Sequence, residues 1–184
     1  MNTDAPRLAH FTIAVVGSGS EEHEPLAGAV GRLLAEMGVN LLTGGGAGVM
    51  RAVSRGYVAQ PRVAGICIGI IPSRSPEDPS TPKEGYPNEF VELAIFTHLP
   101  YSGIRGTEPG SRNHINILSS AGIIALPGGE GTESELTLAL RYGKPAIAIA
   151  DDPDRLRRFP AAIPRAETID EVRRFVSGVL GKGW

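Results

Sequence analysis

Two glycine-rich segments contain the residues whose types and spacing best suit the binding of a small anion. One is Gly44-Gly45-Gly46-Ala47-Gly48-Val49-Met50, and the other is Pro127-Gly128-Gly129-Glu130-Gly131-Thr132. Glycine allows backbone N–H groups to approach a ligand closely, and the start of a following helix adds partial positive charge. We therefore expect both segments to bind the phosphate of a small molecule. For either segment alone, a tight turn without a ligand is the alternative.

Three charged side chains near these segments are candidates for contact with such a ligand. Thr132-Glu133-Ser134-Glu135 fits a capping box, in which Glu135 satisfies a backbone N–H, and the same carboxylate is also placed to act on a ligand. Arg112 follows a candidate N-cap serine. It is either a solvated residue in the first turn of a helix, or a residue whose guanidinium binds phosphate or carboxylate through paired hydrogen bonds. Arg105 is a further candidate of the second kind.

The spacing of the glycines excludes the two best-known nucleotide motifs. If the dinucleotide pattern G-x-G-x-x-G began at Gly44, its third glycine would fall on Val49; if it began at Gly17, on Glu22. No lysine stands where a Walker motif requires one. A mononucleotide or another small phosphorylated molecule is the better prediction.

The elements that position these residues follow from the alternation of apolar runs and helical patterns. The sequence predicts strands over 11–16, 39–42, 63–71, 90–96, 123–126 and 145–150, and helices over 25–37, 49–57, 112–121, 132–142 and from 168. This alternation predicts an α/β fold, a single Rossmann-like three-layer sandwich with a mostly parallel sheet, in one nucleotide-binding domain over 1–184. Such sheets bind ligands at the carboxyl ends of their strands, where the glycine segments lie.

Composition excludes several other classes of protein. The 18 Lys and Arg against 20 Asp and Glu give a net charge of −2, which argues against a nucleic-acid partner. The single cysteine, Cys67, excludes a disulfide framework, and the four histidines share no ligand spacing, so no metal site is predicted. No apolar stretch approaches the roughly 18 residues of a membrane span, and 1–10 lacks the pattern of a secretory signal. We therefore expect a cytoplasmic protein without a membrane partner.

Four motifs in this order resemble the signature of the LOG superfamily. They are the 44–50 segment, Gly69-Ile70-Ile71-Pro72, Ser111-Arg112-Asn113, and Pro127-Gly128-Gly129-Glu130-Gly131-Thr132-Glu133-Ser134-Glu135. The superfamily includes cytokinin-activating nucleoside 5′-monophosphate phosphoribohydrolases and molybdenum-cofactor carrier proteins. The resemblance implies that Arg112 and Glu135 form a catalytic pair and that the glycines of the last motif bind phosphate.

The activity implied by the resemblance is hydrolysis of an N-glycosidic bond to a free base and ribose 5-phosphate, with no cofactor required. Two positions depart from the pattern of those hydrolases. Asn113 stands where they carry lysine, and Glu130 stands where a tyrosine or a small residue is usual. Both departures favour the alternative, a non-catalytic carrier whose cargo is the molybdenum cofactor, a pterin phosphate. Asn113, Glu130 and Arg105 are therefore candidate ligand-proximal residues.

The remaining predictions concern the binding surface and the assembly. The candidate phosphate- or nucleotide-binding residues are Gly17, Gly44, Gly45, Gly46, Gly48, Met50, Pro127, Gly128, Gly129, Gly131 and Thr132. Proteins that this chain resembles form dimers or tetramers, so we expect a homodimer or homotetramer. Two apolar sets exceed what one core-facing stripe requires: Ile115, Ile117 and Leu118, and Leu136, Leu138, Ala139 and Leu140.

Overall fold

The computed structural model describes residues 11–61 and 64–181, and its centre is a seven-stranded parallel sheet. The strands are β1 (Thr12–Val16), β2 (Asn40–Thr43), β3 (Cys67–Ile71), β4 (Leu93–Phe96), β5 (Gly122–Ala125), β6 (Ala146–Ile149) and β7 (Arg165–Ala166). Their order across the sheet is β4-β3-β2-β1-β5-β6-β7, and every pairing is parallel. The chain reverses its direction of travel across the sheet at β1, which lies between β2 and β5. This is the position at which such sheets bind ligands.

Helices cover both faces of the sheet, which confirms the predicted Rossmann-like α/β sandwich. The helices are α1 (Leu26–Glu36), α2 (Val49–Val58), α3 (Asn113–Leu118), α4 (Glu130–Arg141) and α5 (Ile169–Gly181). Successive side chains of a strand point to opposite faces, so β1 contributes to two cores. Ile13 and Val15 pack with α1, α2 and α5, whereas Ala14 and Val16 pack with α3 and α4.

Several element boundaries differ from the predicted ones. Helix α4 begins at Glu130, two residues before the predicted start, with Gly129 in an extended conformation at the N-cap. Strand β7 and two single-turn 3₁₀ segments, Gly103–Arg105 and Pro153–Leu156, were not predicted, because segments this short show no periodicity. The predicted start of the third strand at Val63 and the 1–10 segment lie outside the described residues.

The apolar surplus predicted on α3 and α4 is mostly absorbed by the core of the chain itself. Ile117, Leu136, Leu138 and Ala139 are fully buried, and Ile115 packs against the same core. Only Leu118 and Leu140 remain exposed, with 48% and 43% of their surfaces accessible. Among the described residues, no helix is long and apolar enough to cross a membrane.

Candidate functional site

A cleft of about 310 Å³ opens at the carboxyl ends of β1, β2 and β5. Its floor is the end of β1 and the loop that follows, and its walls come from the segment after β2, the start of α3 and the start of α4. The cleft brings together nine of the residues predicted from sequence: Gly17, Gly44, Met50, Arg112, Asn113, Gly129, Gly131, Thr132 and Glu135. Residues that are far apart in sequence therefore meet at the predicted edge of the sheet.

The other predicted residues lie outside the walls of this cleft: Gly45, Gly46, Gly48, Pro127, Gly128, Glu130 and Arg105. The guanidinium of Arg105 lies 3.4 Å from the ring centre of Tyr101 and forms an ion pair of 2.8 Å with Glu108, so it is held away from the cleft. Glu130 is exposed at the first position of α4. The carbonyl of Pro127 accepts a hydrogen bond of 2.9 Å from the N–H of Ser18, which ties the loop after β5 to the loop after β1.

Two backbone N–H groups of the segment after β2 already have partners within the protein. The N–H of Val49 donates to the carbonyl of Ser18 at 2.9 Å, and the N–H of Gly45 donates to Oγ1 of Thr43 at 3.0 Å. Gly48, at a φ of 61°, makes the left-handed turn into α2. These two N–H groups are therefore unavailable to a phosphate.

Arg112 is buried at the start of α3, with 5% of its surface accessible. The alternative of a solvated first-turn arginine is therefore wrong. Its guanidinium packs against the backbone of Gly44, where a Cβ would lie only 2.7 Å from Cζ. Nη1 donates a hydrogen bond of 3.2 Å to Oδ1 of Asn113, whereas Nε has no partner in the described part of the chain. A buried guanidinium with an unused donor is suited to binding an anion.

Glu135 lies in the second turn of α4 with 8% of its surface accessible. The capping-box alternative is wrong, because α4 begins at Glu130 and Thr132 is already inside the helix. Burial raises the pKa of Glu135, while the charge of Arg112 and a hydrogen bond from Asn116 act in the opposite direction. Burial therefore favours the protonated form of this carboxyl group.

Asn116, which the sequence analysis did not identify, fixes the orientation of this carboxyl group. Its Nδ2 donates a hydrogen bond of 3.1 Å to Oε1 of Glu135. Asn116 lies one helical turn after Arg112 and Asn113, so all three side chains share one face of α3. That spacing is the signal from which it could have been found.

Unsatisfied polar atoms concentrate at this site. Four buried side-chain polar atoms of the described residues have no hydrogen-bond partner, and three of them are Arg112 Nε, Asn116 Oδ1 and Thr132 Oγ1. Buried polar groups in folded proteins are normally paired, and the first N–H groups of a helix have no partner within it. At the cleft, Nε of Arg112, the hydroxyl of Thr132 and the first N–H groups of α4 provide donors for an anionic ligand, whereas Asn116 does not line the cleft and contacts it through Glu135.

The described residues do not assemble a metal centre. No group of three His, Cys, Asp or Glu side chains within 11–61 and 64–181 could hold a metal ion. His10 lies outside these ranges. The thiol of Cys67 lies in the core at 3.3 Å from Oγ of Ser54.

Comparison with known proteins finds relatives in sequence and in fold. The chain is 34% identical over 134 residues to an uncharacterised protein of Archaeoglobus fulgidus, covering 72% of this chain and 75% of that protein. Two solved structures are similar over nearly their whole length. The molybdenum cofactor binding protein of Rippkaea orientalis has a TM-score of 0.68 and 28% identity, covering 96% of this chain and 99% of that one. The molybdenum-cofactor carrier protein of Chlamydomonas reinhardtii has a TM-score of 0.69 and 27% identity, covering 94% and 98%.

The family assignment rests on a match that spans most of the chain. The model of the SLOG cluster4 family matches residues 10–173, and the chain belongs to this family. With the carrier structures, this confirms the resemblance to the LOG superfamily and to its molybdenum-cofactor carrier branch.

Proposed function

We propose that this member of the SLOG cluster4 family binds a small phosphorylated molecule in the cleft, with its phosphate at the start of α4. One observation carries the proposal: Oγ1 of Thr132 is buried, with 2% of the residue accessible, and has no hydrogen-bond partner in the described residues. It stands beside the first N–H groups of a twelve-residue helix, which carry partial positive charge. A phosphate oxygen would accept hydrogen bonds from both.

We further propose that the ligand is a nucleoside 5′-monophosphate whose N-glycosidic bond is hydrolysed. The support is that Arg112 and Glu135 line the same cleft as the phosphate-binding residues. The bond between C1′ and the base nitrogen breaks through an oxocarbenium-like state, and the oxygen of water joins C1′. Arg112 stays protonated, so its role is to orient the substrate and hold negative charge.

Glu135 would carry the protons in this reaction. Because burial raises its pKa, the carboxyl group can hold a proton and give it to the departing base nitrogen. The resulting carboxylate stabilises the positive charge that develops on the ribose, and it then receives a proton from the attacking water. The products are the free base and ribose 5-phosphate, and Glu135 is protonated again at the end of the reaction.

A second candidate is a carrier that binds its ligand and releases it intact. Two observations favour it. Asn113 stands where the hydrolases of the superfamily carry lysine. It accepts a hydrogen bond from Arg112, so one donor of the guanidinium is already engaged. The similar solved structures at 27–28% identity are described as molybdenum cofactor binding or carrier proteins. Under this candidate the phosphate contacts are the same, and the cargo is the molybdenum cofactor or a related pterin phosphate.

Incubation with AMP, GMP, CMP and UMP, followed by chromatography for free base and ribose 5-phosphate, separates the two candidates. A hydrolase releases base, and Glu135→Gln abolishes this release while the nucleotide still binds. Glu133→Gln is the matched control, because Glu133 is on the same helix but pairs with Arg158 at 3.3 Å. A carrier binds its ligand, which is recovered unchanged. Failure to bind any phosphorylated compound would contradict both candidates.

A further inference from the structure

We infer that Tyr86 is the aromatic wall against which the planar heterocycle of the ligand stacks. The inference rests on the proposed function and narrows its ligand class to phosphate esters that carry a planar ring system. Tyr86 lines the cleft, and it is the one aromatic residue among the described residues that do so. The other walls are glycine, serine, aliphatic, amide and charged side chains, none of which offers a flat apolar surface.

The ring of Tyr86 packs against Gly46, in the segment after β2. A Cβ at position 46 would lie 2.6 Å from both Cζ and Oη of Tyr86, so only glycine allows the phenol to pack there. This contact explains why glycine stands at position 46, which the sequence analysis assigned to phosphate binding. Gly46 contributes to the site through Tyr86.

Asn88 fixes the loop that carries this ring. It is buried, with 7% of its surface accessible, and its Nδ2 donates a hydrogen bond of 2.8 Å to the carbonyl of Gly46. Its backbone N–H donates to the carbonyl of Gly45 at 2.7 Å. The two hydrogen bonds hold the loop against the segment after β2, so Tyr86 is in place before a ligand arrives.

Part of the surface of Tyr86 is accessible beside Lys83, whose Nζ lies 6.0 Å from the centre of the ring. The residue is half-buried, and it separates the cleft from a neighbouring cavity of about 470 Å³ that Arg51 and Asn88 help to line. Stacking of a heterocycle on an aromatic side chain is favourable for every base, because every base has a π-face. Tyr86 would therefore select for a ring system without selecting a particular base.

The strand spacing separates the ends of β2 and β5 by about the length of a nucleotide. Tyr86 packs on the segment after β2, whereas the phosphate would bind at the start of α4, after β5. Strand β1 lies between these two strands, so their ends are about 10 Å apart at about 4.8 Å per strand. Arg112 packs on Gly44. Gly44 lies two residues before Gly46, against which Tyr86 packs, so the two glycines are no more than about 7 Å apart. The bond between ribose and base would thus lie near Arg112 and Glu135.

Isothermal titration calorimetry with ribose 5-phosphate, AMP and GMP tests the inference. GMP carries the same aminopyrimidinone edge as a pterin, and ribose 5-phosphate has no heterocycle. We expect the wild type to bind AMP or GMP about tenfold or more tightly than ribose 5-phosphate, as one stacking contact provides. In Tyr86→Ala this preference is lost while the affinity for ribose 5-phosphate is unchanged, and Tyr86→Phe retains the preference.

Two controls complete the experiment. Tyr142→Ala removes another tyrosine ring, exposed at the opposite end of α4, and should change neither affinity. Repetition in a Glu135→Gln background excludes turnover during the titration. If Tyr86→Ala binds AMP and GMP as the wild type does, or loses ribose 5-phosphate to the same extent, the inference is overturned and the phosphate proposal stands. If the wild type binds none of the three compounds, the proposed function fails, and the inference fails with it.

Discussion

Asn116 on α3 and Glu135 on α4 are joined by a hydrogen bond of 3.1 Å from Nδ2 to Oε1. Both residues are buried, with 1% and 8% of their surfaces accessible, and Oδ1 of Asn116 has no partner in the described part of the chain. The hydrogen bond fixes the carboxyl group at the wall of the cleft. Because the amide of Asn116 is uncharged, it cannot neutralise the charge of a carboxylate there. The protonation of Glu135 should therefore be measurable in the stability of the protein.

The first prediction is that Glu135→Gln removes a pH-dependent part of the stability. Burial raises the pKa of Glu135 above its ordinary value of 4.5, so the folded protein binds this proton more tightly than the unfolded chain. The free energy of unfolding of the wild type therefore falls as pH rises from about 4.5 through the raised pKa. Urea denaturation between pH 4.5 and 8 should show the variant gaining stability relative to the wild type as pH increases. A difference that is constant with pH would contradict it.

The second prediction is that Thr132→Val stabilises the protein and weakens phosphate binding. Valine keeps the shape of threonine and removes a buried hydroxyl that has no partner, which should raise the free energy of unfolding by about 1 kcal/mol. The loss of a hydrogen bond to a charged phosphate should weaken AMP binding by about tenfold or more. Thr137→Val is the control, because that exposed threonine on the same helix bonds to the carbonyl of Glu133. Unchanged affinity for AMP would rule out the role of Thr132.

The third prediction is that Gly44→Ala lowers ligand affinity by displacing Arg112. The new methyl group would occupy the position of the guanidinium, which can shift because it is the end of a flexible side chain. We expect a loss of stability below about 1 kcal/mol and a loss of AMP affinity similar to that of Arg112→Gln. Calorimetry checks this, with Gly178→Ala as a control that meets no neighbouring atom within 4 Å. Full affinity in Gly44→Ala would show that the position of Arg112 does not matter for binding.

The fourth prediction is that the protein self-associates as a homodimer or homotetramer through the exposed apolar side chains of the α3–α4 face. These are Leu118 on α3 and Leu140 on α4, together with Ile104, which is 77% accessible, in the adjoining 3₁₀ segment Gly103–Arg105. Sedimentation velocity at micromolar concentration should give a species larger than the 19.3 kDa chain, and Leu118→Glu with Leu140→Glu should give the monomer. Ile95→Lys on the edge strand β4 is the control and should leave the assembly intact. A wild-type monomer would overturn this prediction.

Six of the seven strands could be predicted from sequence because they are short apolar runs, and β1, β2 and β3 are followed directly by glycine or proline. The start of α4 could not, since Thr132 and Glu135 have the spacing of a capping box, and nothing local shows that Gly129 caps the helix instead. The glycines after β2 were ambiguous for a physical reason. A glycine that receives Tyr86, as Gly46 does, has the same sequence pattern as one that approaches a phosphate.

The residues of the candidate site also differ in how far the sequence alone could identify them. Arg112 and Glu135 could be identified because they belong to motifs that resemble those of a known superfamily. Asn116 and Tyr86 stand in no such motif. The helical spacing of Asn116 from Arg112 and Asn113 was the one signal for it, whereas the role of Tyr86 depends on a contact with Gly46 that only the fold creates.

Recognition of phosphate by the cleft can be measured as the affinity of the wild-type protein for AMP compared with its affinity for adenosine. The two compounds differ only in the phosphate group, which the start of α4 and Thr132 would bind. We predict by calorimetry that AMP binds at least tenfold more tightly than adenosine and that Thr132→Val narrows this difference. Equal affinities for AMP and adenosine would contradict the account.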